Sequence, residues 1–187
     1  VFSGTVKASG SLSGPLNSPI AKANLELEDL EIDQMFLGDV KTKAEYNGKT
    51  IELTDLVLTH PKVGSLRAKG QIGLSANLPT EIQAELDPIH VGPLFELLEF
   101  QDFPVNASLR GKLDAKGTLN PFVLDYYLNQ DIENLGVFDR SYLSPKRSAL
   151  VSLSKSQLVG RVRSTTTKLT LNDLVLTRGS TGLALNG

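Results

Sequence analysis

Nine residues with a period of two are written three times along this chain. Gly4-Thr-Val-Lys-Ala-Ser-Gly10-Ser-Leu12, Gly64-Ser-Leu-Arg-Ala-Lys-Gly70-Gln-Ile72 and Gly111-Lys-Leu-Asp-Ala-Lys-Gly117-Thr-Leu119 all read G-x-[VL]-x-A-x-G-x-[IL]. Their starts lie 60 and then 47 residues apart, an uneven array whose insertions fall between repeated units. In each copy the glycines, the alanine and the aliphatic residue share one parity, which places them on one face of a strand. The other parity holds Lys7, Ser9, Arg67, Lys69, Lys112 and Lys116. One face of the predicted strands is therefore wet and the other apolar. A glycine recurring on the apolar face either lets the strand bend sharply or keeps space open above the sheet.

Alternation of this kind continues between and beyond the copies. It assigns to the apolar face Val6, Ala8 and Leu12; Leu25 and Leu27; Phe36, Val40 and Ala44; and Ile51, Leu53, Leu56 and Leu58. Further along it adds Leu66, Ala68, Ile72 and Leu74; Leu109, Leu113, Ala115 and Leu119; and Leu124, Tyr126 and Leu128. The last stretch contributes Leu158, Val162, Leu169, Leu171, Leu174 and Leu176, and its LNDLVLT at 171–177 nearly copies LTDLVLT at 53–59. The phase slips at Glu28-Asp29, Thr54-Asp55 and Asn172-Asp173. Each slip is either a bulge of one extra residue, which returns both halves to a common face, or the end of a strand.

Two local signals interrupt the strands. Asn47-Gly48 is the sequence of a type I′ hairpin, which would set Ala44 opposite Ile51 and Thr42 opposite Leu53. Pro93 to Phe100 has helical spacing, with Leu94, Leu97 and Leu98 on one side, and predicts one short helix near 92–100. The chain thus reads as a single repeat-built domain over 1–187, with units of about 1–62, 63–103 and 104–187. Residues 139–148 lose all periodicity around Pro145-Lys146-Arg147 and predict a mobile loop.

Chemistry is scarce. Net charge is −2 without a basic cluster, so nucleic acid has no electrostatic handle. Zero cysteines exclude disulfides and thiolate metal sites. His60 and His90 have no His, Asp or Glu at a metal-ligand spacing, and the acidic run Glu26, Glu28, Asp29, Glu31 and Asp33 reads as a solvated strand face. The repeat glycines lie mid-strand and not before a helix, so they form no phosphate loop, and no nucleophile motif occurs. The expectation is a protein without enzymatic activity, catalytic residues, metal or cofactor. No run approaches the ~20 apolar residues of a membrane span. The chain opens inside a strand pattern, as a piece of a longer protein would.

About a dozen strands and about thirty apolar side chains on one face, each worth ~1.5–3 kcal/mol if removed from water, require an apolar partner. Either a second sheet covers that face, or the sheet curls into a trough that accepts a lipid-like guest. The small residues Gly64, Ala68, Gly70, Gly111, Ala115 and Gly117 point to the trough, because a close-packed sandwich wants more bulk.

The stretch GSLSGPLNSPIAKANLELEDLEID, followed by FLGDVKTKAEYNGKTIELTDLVLTHPKVGSLRAKGQIGL, resembles the TamB and AsmA-like proteins of double-membraned bacteria; GKLDAKGTLNPFVLDYYLNQDIENLGV is a second pass of the same texture. The resemblance covers residues 1 to about 137 and 165–187. It implies a long, mostly antiparallel curved sheet, a β-taco with an apolar groove. It also implies a periplasmic location, with the parent protein anchored in the inner membrane. The function it implies is shielding of phospholipid acyl chains between the membranes in support of outer-membrane biogenesis, with an Omp85-type outer-membrane barrel as a partner of the parent. The other expectation is a non-enzymatic β-solenoid or β-sandwich module of a surface adhesin or outer-membrane protein assembly factor.

Overall fold

The computed structural model describes residues 2–33, 35–100 and 102–187, with the side chain of Phe2 outside the described set. Its strands are β1 (Phe2–Ser13), β2 (Ile20–Ile32), β3 (Met35–Tyr46), β4 (Thr50–His60), β5 (Gly64–Gly73), β6 (Pro79–His90), β7 (Val105–Leu119), β8 (Phe122–Phe138), β9 (Ala149–Thr165), β10 (Leu169–Arg178) and β11 (Thr181–Leu185). One helix among the described residues, α1 (Val91–Leu97), joins β6 to β7. All eleven strands form one open sheet in the order of the sequence, every pair antiparallel. Ten spacings of about 4.8 Å make the sheet about 48 Å long.

No second layer faces this sheet among the described residues. The accessible surface is 11965 Å², against about 8,800 Å² for a compact monomer of 20.2 kDa. A sandwich would bring that value down. An open sheet does not.

The phase slips are bulges inside continuous strands. Asp29 and Asp173 have φ of 53° and 52°, and the register shifts beside them and across Thr54-Asp55. Aspartate tolerates this left-handed conformation better than a branched residue, which is why the slips read D at these positions. A further bulge surrounds Pro88 within β6, where the missing N–H interrupts the ladder. The repeat glycines serve close approach of neighbouring backbones. A Cβ on Gly64 would collide with the carbonyl oxygen of Pro88, and one on Gly70 with that of Glu81. Space above these glycines is thus taken by the bend of the adjoining strand and is not left open for a guest.

Two local expectations shift. In the β3–β4 hairpin Tyr46 pairs with Ile51 and Ala44 with Leu53, two residues from the predicted register. The cause is the Asn47 side chain, whose Oδ1 accepts the N–H groups of Lys49 (3.0 Å) and Thr50 (2.9 Å). That fixes Gly48 and Lys49 as the central turn residues, and only Gly48 has positive φ, 86°, where a type I′ turn needs two. The helix begins at Val91 and ends at Leu97, so Leu98 lies outside it and is exposed. Glu99 then takes φ 64°, its N–H bonds to Glu96 O, and the Phe100 N–H bonds to Phe95 O at 2.8 Å. This is a Schellman termination, closed by the Phe95–Phe100 ring contact at 5.6 Å.

Gly48→Val should lower the melting temperature clearly, because left-handed backbone costs a β-branched residue more than the roughly 1–2 kcal/mol charged to an ordinary one. A Cβ there meets nothing within 4 Å, so an unchanged melting temperature would mean that the turn does not hold positive φ.

Candidate functional site

Register pairs can be followed from one edge of the sheet to the other. One row reads Val6, Leu27, Val40, Leu58, Leu66, Leu86, Gly111, Gln130, Leu158, Leu176 and Leu183, one residue from each strand. The row beside it begins Ala8, Leu25, Thr42, Leu56, Ala68, Ala84, Leu113 and Leu128. Ala44, Leu53 and Gly70, then Ala115, Tyr126, Val162 and Leu171, form a third. Ile51 and Ile72 pair in a fourth row, which takes in Leu12, Leu124 and Leu169. Leu109 and Leu174 join the same face. Bulged strands thus return both halves of each alternation to one side, and a stripe of apolar residues crosses the whole sheet.

Burial along this face is graded. Leu30, Ile89 and Ile132 are only 6%, 8% and 5% exposed, whereas Leu12 and Leu169, near the far strand ends, are 76% and 63% exposed. Cover on this face falls from the strand ends that hold Leu30, Ile89 and Ile132, where α1 also packs on β6 and β7, to the opposite ends that hold Leu12 and Leu169, and the row through Leu66 and Leu86 lies between them as its floor. Phe36 lies at one end with its ring 5.4 Å from that of His60, while Leu74 and Leu119 are exposed near strand ends at the other. Ile82, Ala84, Leu86, Ile89 and Ile132 belong to this face but are missing from the predicted lining. Pro88 masked the continuation to Ile89, and the polar Gln130 broke the alternation before Ile132.

Three polar atoms on or near this floor are buried without a partner: Thr42 Oγ1, Gln130 Oε1 and Ser156 Oγ. Gln130 is 2% exposed. It lies opposite Gly111, and its Nε2 donates to the Lys112 carbonyl at 2.7 Å. Its amide is therefore half satisfied.

The opposite face is charged, and the sign alternates by strand. Arg67 and Lys69 on β5 are followed by Glu81, Glu85 and Asp87 on β6, Arg110, Lys112 and Lys116 on β7, Asp125, Asp131 and Glu133 on β8, and Lys155, Arg161 and Arg163 on β9. Asp114 on β7 is the exception in this run. Arg110–Asp87 (3.0 Å), Arg163–Asp125 (3.7 Å) and Lys116–Glu81 (3.8 Å) are ion pairs between neighbouring strands. Being exposed, each contributes at most about 1 kcal/mol. Two depressions also lie on this face, one of ≈520 Å³ beside Arg67, Lys69, Glu85 and Lys112 and one of ≈670 Å³ beside Glu81, Asp125 and Arg161. A twisted sheet is a saddle, hollow along the strands on one side and across them on the other. Both hollows mix the two signs, with Arg67 and Lys112 in register on either side of Glu85 in the first, so they offer no single-sign field to a ligand.

One end of β6, β7 and β8 carries a small cap. The Tyr142 ring packs over Gly92, where a Cβ would strike it, and its hydroxyl donates to Glu96 at 3.3 Å. Burial pushes the Tyr142 phenol up, and the charge of Glu96 adds to the shift. Arg147 donates to the Tyr142 carbonyl and stands over the Phe138 ring, so 139–148 is tied to the cap at several points. The histidines play local roles. His60 Nδ1 accepts the N–H groups of Lys62 and Val63 in the β4–β5 turn, and His90 Nδ1 lies 2.9 Å from Ser108 Oγ. Among the described residues no three His, Cys, Asp or Glu side chains converge.

Comparison with protein-family models, curated proteins and solved structures finds no match for this chain.

A hydroxyl buried without a partner costs free energy, so Thr42→Val, which keeps the shape, should stabilise the sheet by about 1 kcal/mol in denaturant titration. A loss of stability would mean that the Thr42 hydroxyl is satisfied in solution.

Proposed function

We propose that this chain is a lipid-shielding segment of a periplasmic protein bridging the inner and outer membranes of a double-membraned bacterium, and that its trough covers phospholipid acyl chains in transit. The observation that carries this reading is the row with one residue from each of eleven strands, apolar except at Gln130, with no second layer over it among the described residues. Aliphatic side chains kept in water forgo about 1.5–3 kcal/mol each, so such a face is maintained against a cost unless something apolar lies on it. A trough open along its walls fits a guest whose tails need cover and whose head stays in water. The outer face, with its cross-strand ion pairs, suits an aqueous compartment. Outer-membrane biogenesis is the role this assigns to the parent protein, with an Omp85-type barrel as its partner there.

Leu66 stands in the floor row and Arg67 points to the charged face. Leu66→Arg should leave a folded protein, since arginine can run along the trough with its head at the mouth, while phospholipid copurifying without detergent falls several-fold by mass spectrometry. Arg67→Leu should leave the lipid yield unchanged. The reading fails if Leu66→Arg unfolds the chain, or if a photo-crosslinker at Leu53 captures no lipid in cells. An adhesin-type module would give the second result.

A further inference from the structure

We infer that the charged face of the sheet carries a binding site for a neutral, linear polysaccharide, laid across the strands and stacked on Tyr127. The inference concerns the face opposite the apolar one and is independent of the lipid reading. It starts from the two hollows, which share Gln83 and Asp114 and so make one groove from β4 to β10. A single register row runs along it: Lys69, Gln83, Asp114, Tyr127, Arg161 and Asn172. A bulge stands at each end, Thr54-Asp55 in β4 and Asn172-Asp173 in β10, and all four of these residues line the hollows. Bulges re-aim side chains that a regular ladder would hold in line, and here they give the groove its two ends. Six strand spacings of about 4.8 Å separate β4 from β10, so the groove runs about 29 Å. That length suits a chain better than a small molecule.

This row differs from the one beside it. There, Lys116–Glu81 and Arg163–Asp125 close their charges within the protein, at 3.8 and 3.7 Å. In the row through Tyr127 a neutral residue separates each charge from the next, Gln83 between Lys69 and Asp114, and Tyr127 between Asp114 and Arg161. Charges two strands apart are about 10 Å from each other, too far for an ion pair. Among the described residues none of the six side chains makes a hydrogen bond or ion pair with another part of the protein, so their polar groups are all open to a ligand.

The chemistry of the row selects that ligand. Its charges run positive, negative, positive, so a polyanion is repelled at Asp114 and a polycation at Lys69 and Arg161, whereas a neutral chain meets neither penalty. Lys69, Arg161 and the amides of Gln83 and Asn172 donate, and Asp114 and the amide oxygens accept. A hydroxyl does both, and a sugar carries hydroxyls on most of its ring carbons. Tyr127, 43% exposed near the middle of the row, supplies a rigid flat face at little cost in entropy. The axial C–H groups of an equatorially substituted pyranose form the matching apolar face. An extended peptide fits less well, because the backbone groups of β5–β9 are spent in the ladder and its own would go unpaired. A β-1,4-linked glucan or its N-acetylamino counterpart is a flat ribbon with the required faces, while an α-1,4-linked glucan coils away from a shallow groove.

The test is calorimetric titration of the intact chain with cellohexaose and chitohexaose. At least one should bind saturably, more tightly than maltohexaose, with little change between low and high salt because the ligand is neutral. Tyr127→Ala should weaken binding about tenfold, the scale of a lost aromatic contact, at an unchanged melting temperature, and Tyr127→Phe should bind like the unsubstituted chain. Arg161→Ala, which leaves the ring in place, should weaken it severalfold. Lys155→Ala, on the same face but outside the groove, should have no effect. The inference is overturned if neither hexaose binds saturably, if maltohexaose binds as tightly, if Tyr127→Ala or Arg161→Ala binds as well as the unsubstituted chain, if Lys155→Ala weakens binding equally, or if high salt abolishes it.

Discussion

The strands of this protein find their hydrogen-bond partners in the strands next to them in sequence, and among the described residues no second layer covers the sheet. Backbone polar groups are expensive to leave unpaired when buried, and a meander satisfies them with the shortest connections available. With no second layer among the described residues, the sheet is held by nearest-neighbour terms, as in a solenoid, and its stability is close to a sum of hairpin contributions. The bulges and the repeat glycines follow from the same arrangement. They bend each strand in step with its neighbours, and a strand that bent alone would tear the ladder on both sides.

The two faces solve different parts of the problem. Leucine, valine and alanine in register drive collapse of the strands onto one another but distinguish poorly between one strand and the next. The outer face does that. Cation-bearing and acid-bearing strands alternate from β5 to β9, so a slip that placed β5 beside β7 would set Arg67 and Lys69 against Arg110, Lys112 and Lys116. Like charges directly opposite are destabilising, and several such pairs together exceed what any one surface ion pair contributes. The order of the strands is thus written in charge and their curvature in glycine and aspartate.

The floor row that crosses the sheet is apolar except at Gln130. Its position opposite Gly111 is physically coherent. A long amide can lie across a residue that has no side chain and take up the Lys112 carbonyl. Why the chain keeps a half-satisfied amide where leucine stands in most other strands has no account in packing alone.

Much of this was legible in one dimension. Period-two alternation identified the strands, and their common parity identified the apolar face, because a strand side chain has only two directions to point. The phase slips located bulges for the same reason. Sequence could not say that Asn47 would use its side chain to move the hairpin by two residues, since the choice between two turns depends on which N–H groups its Oδ1 can reach once the strands are paired. Nor could it show that the glycines admit a neighbouring backbone, because that is a relation between strands distant in sequence. Local pattern determined which residues face together. Only the assembled ladder decided which of them touch, because register is a property of pairs of strands.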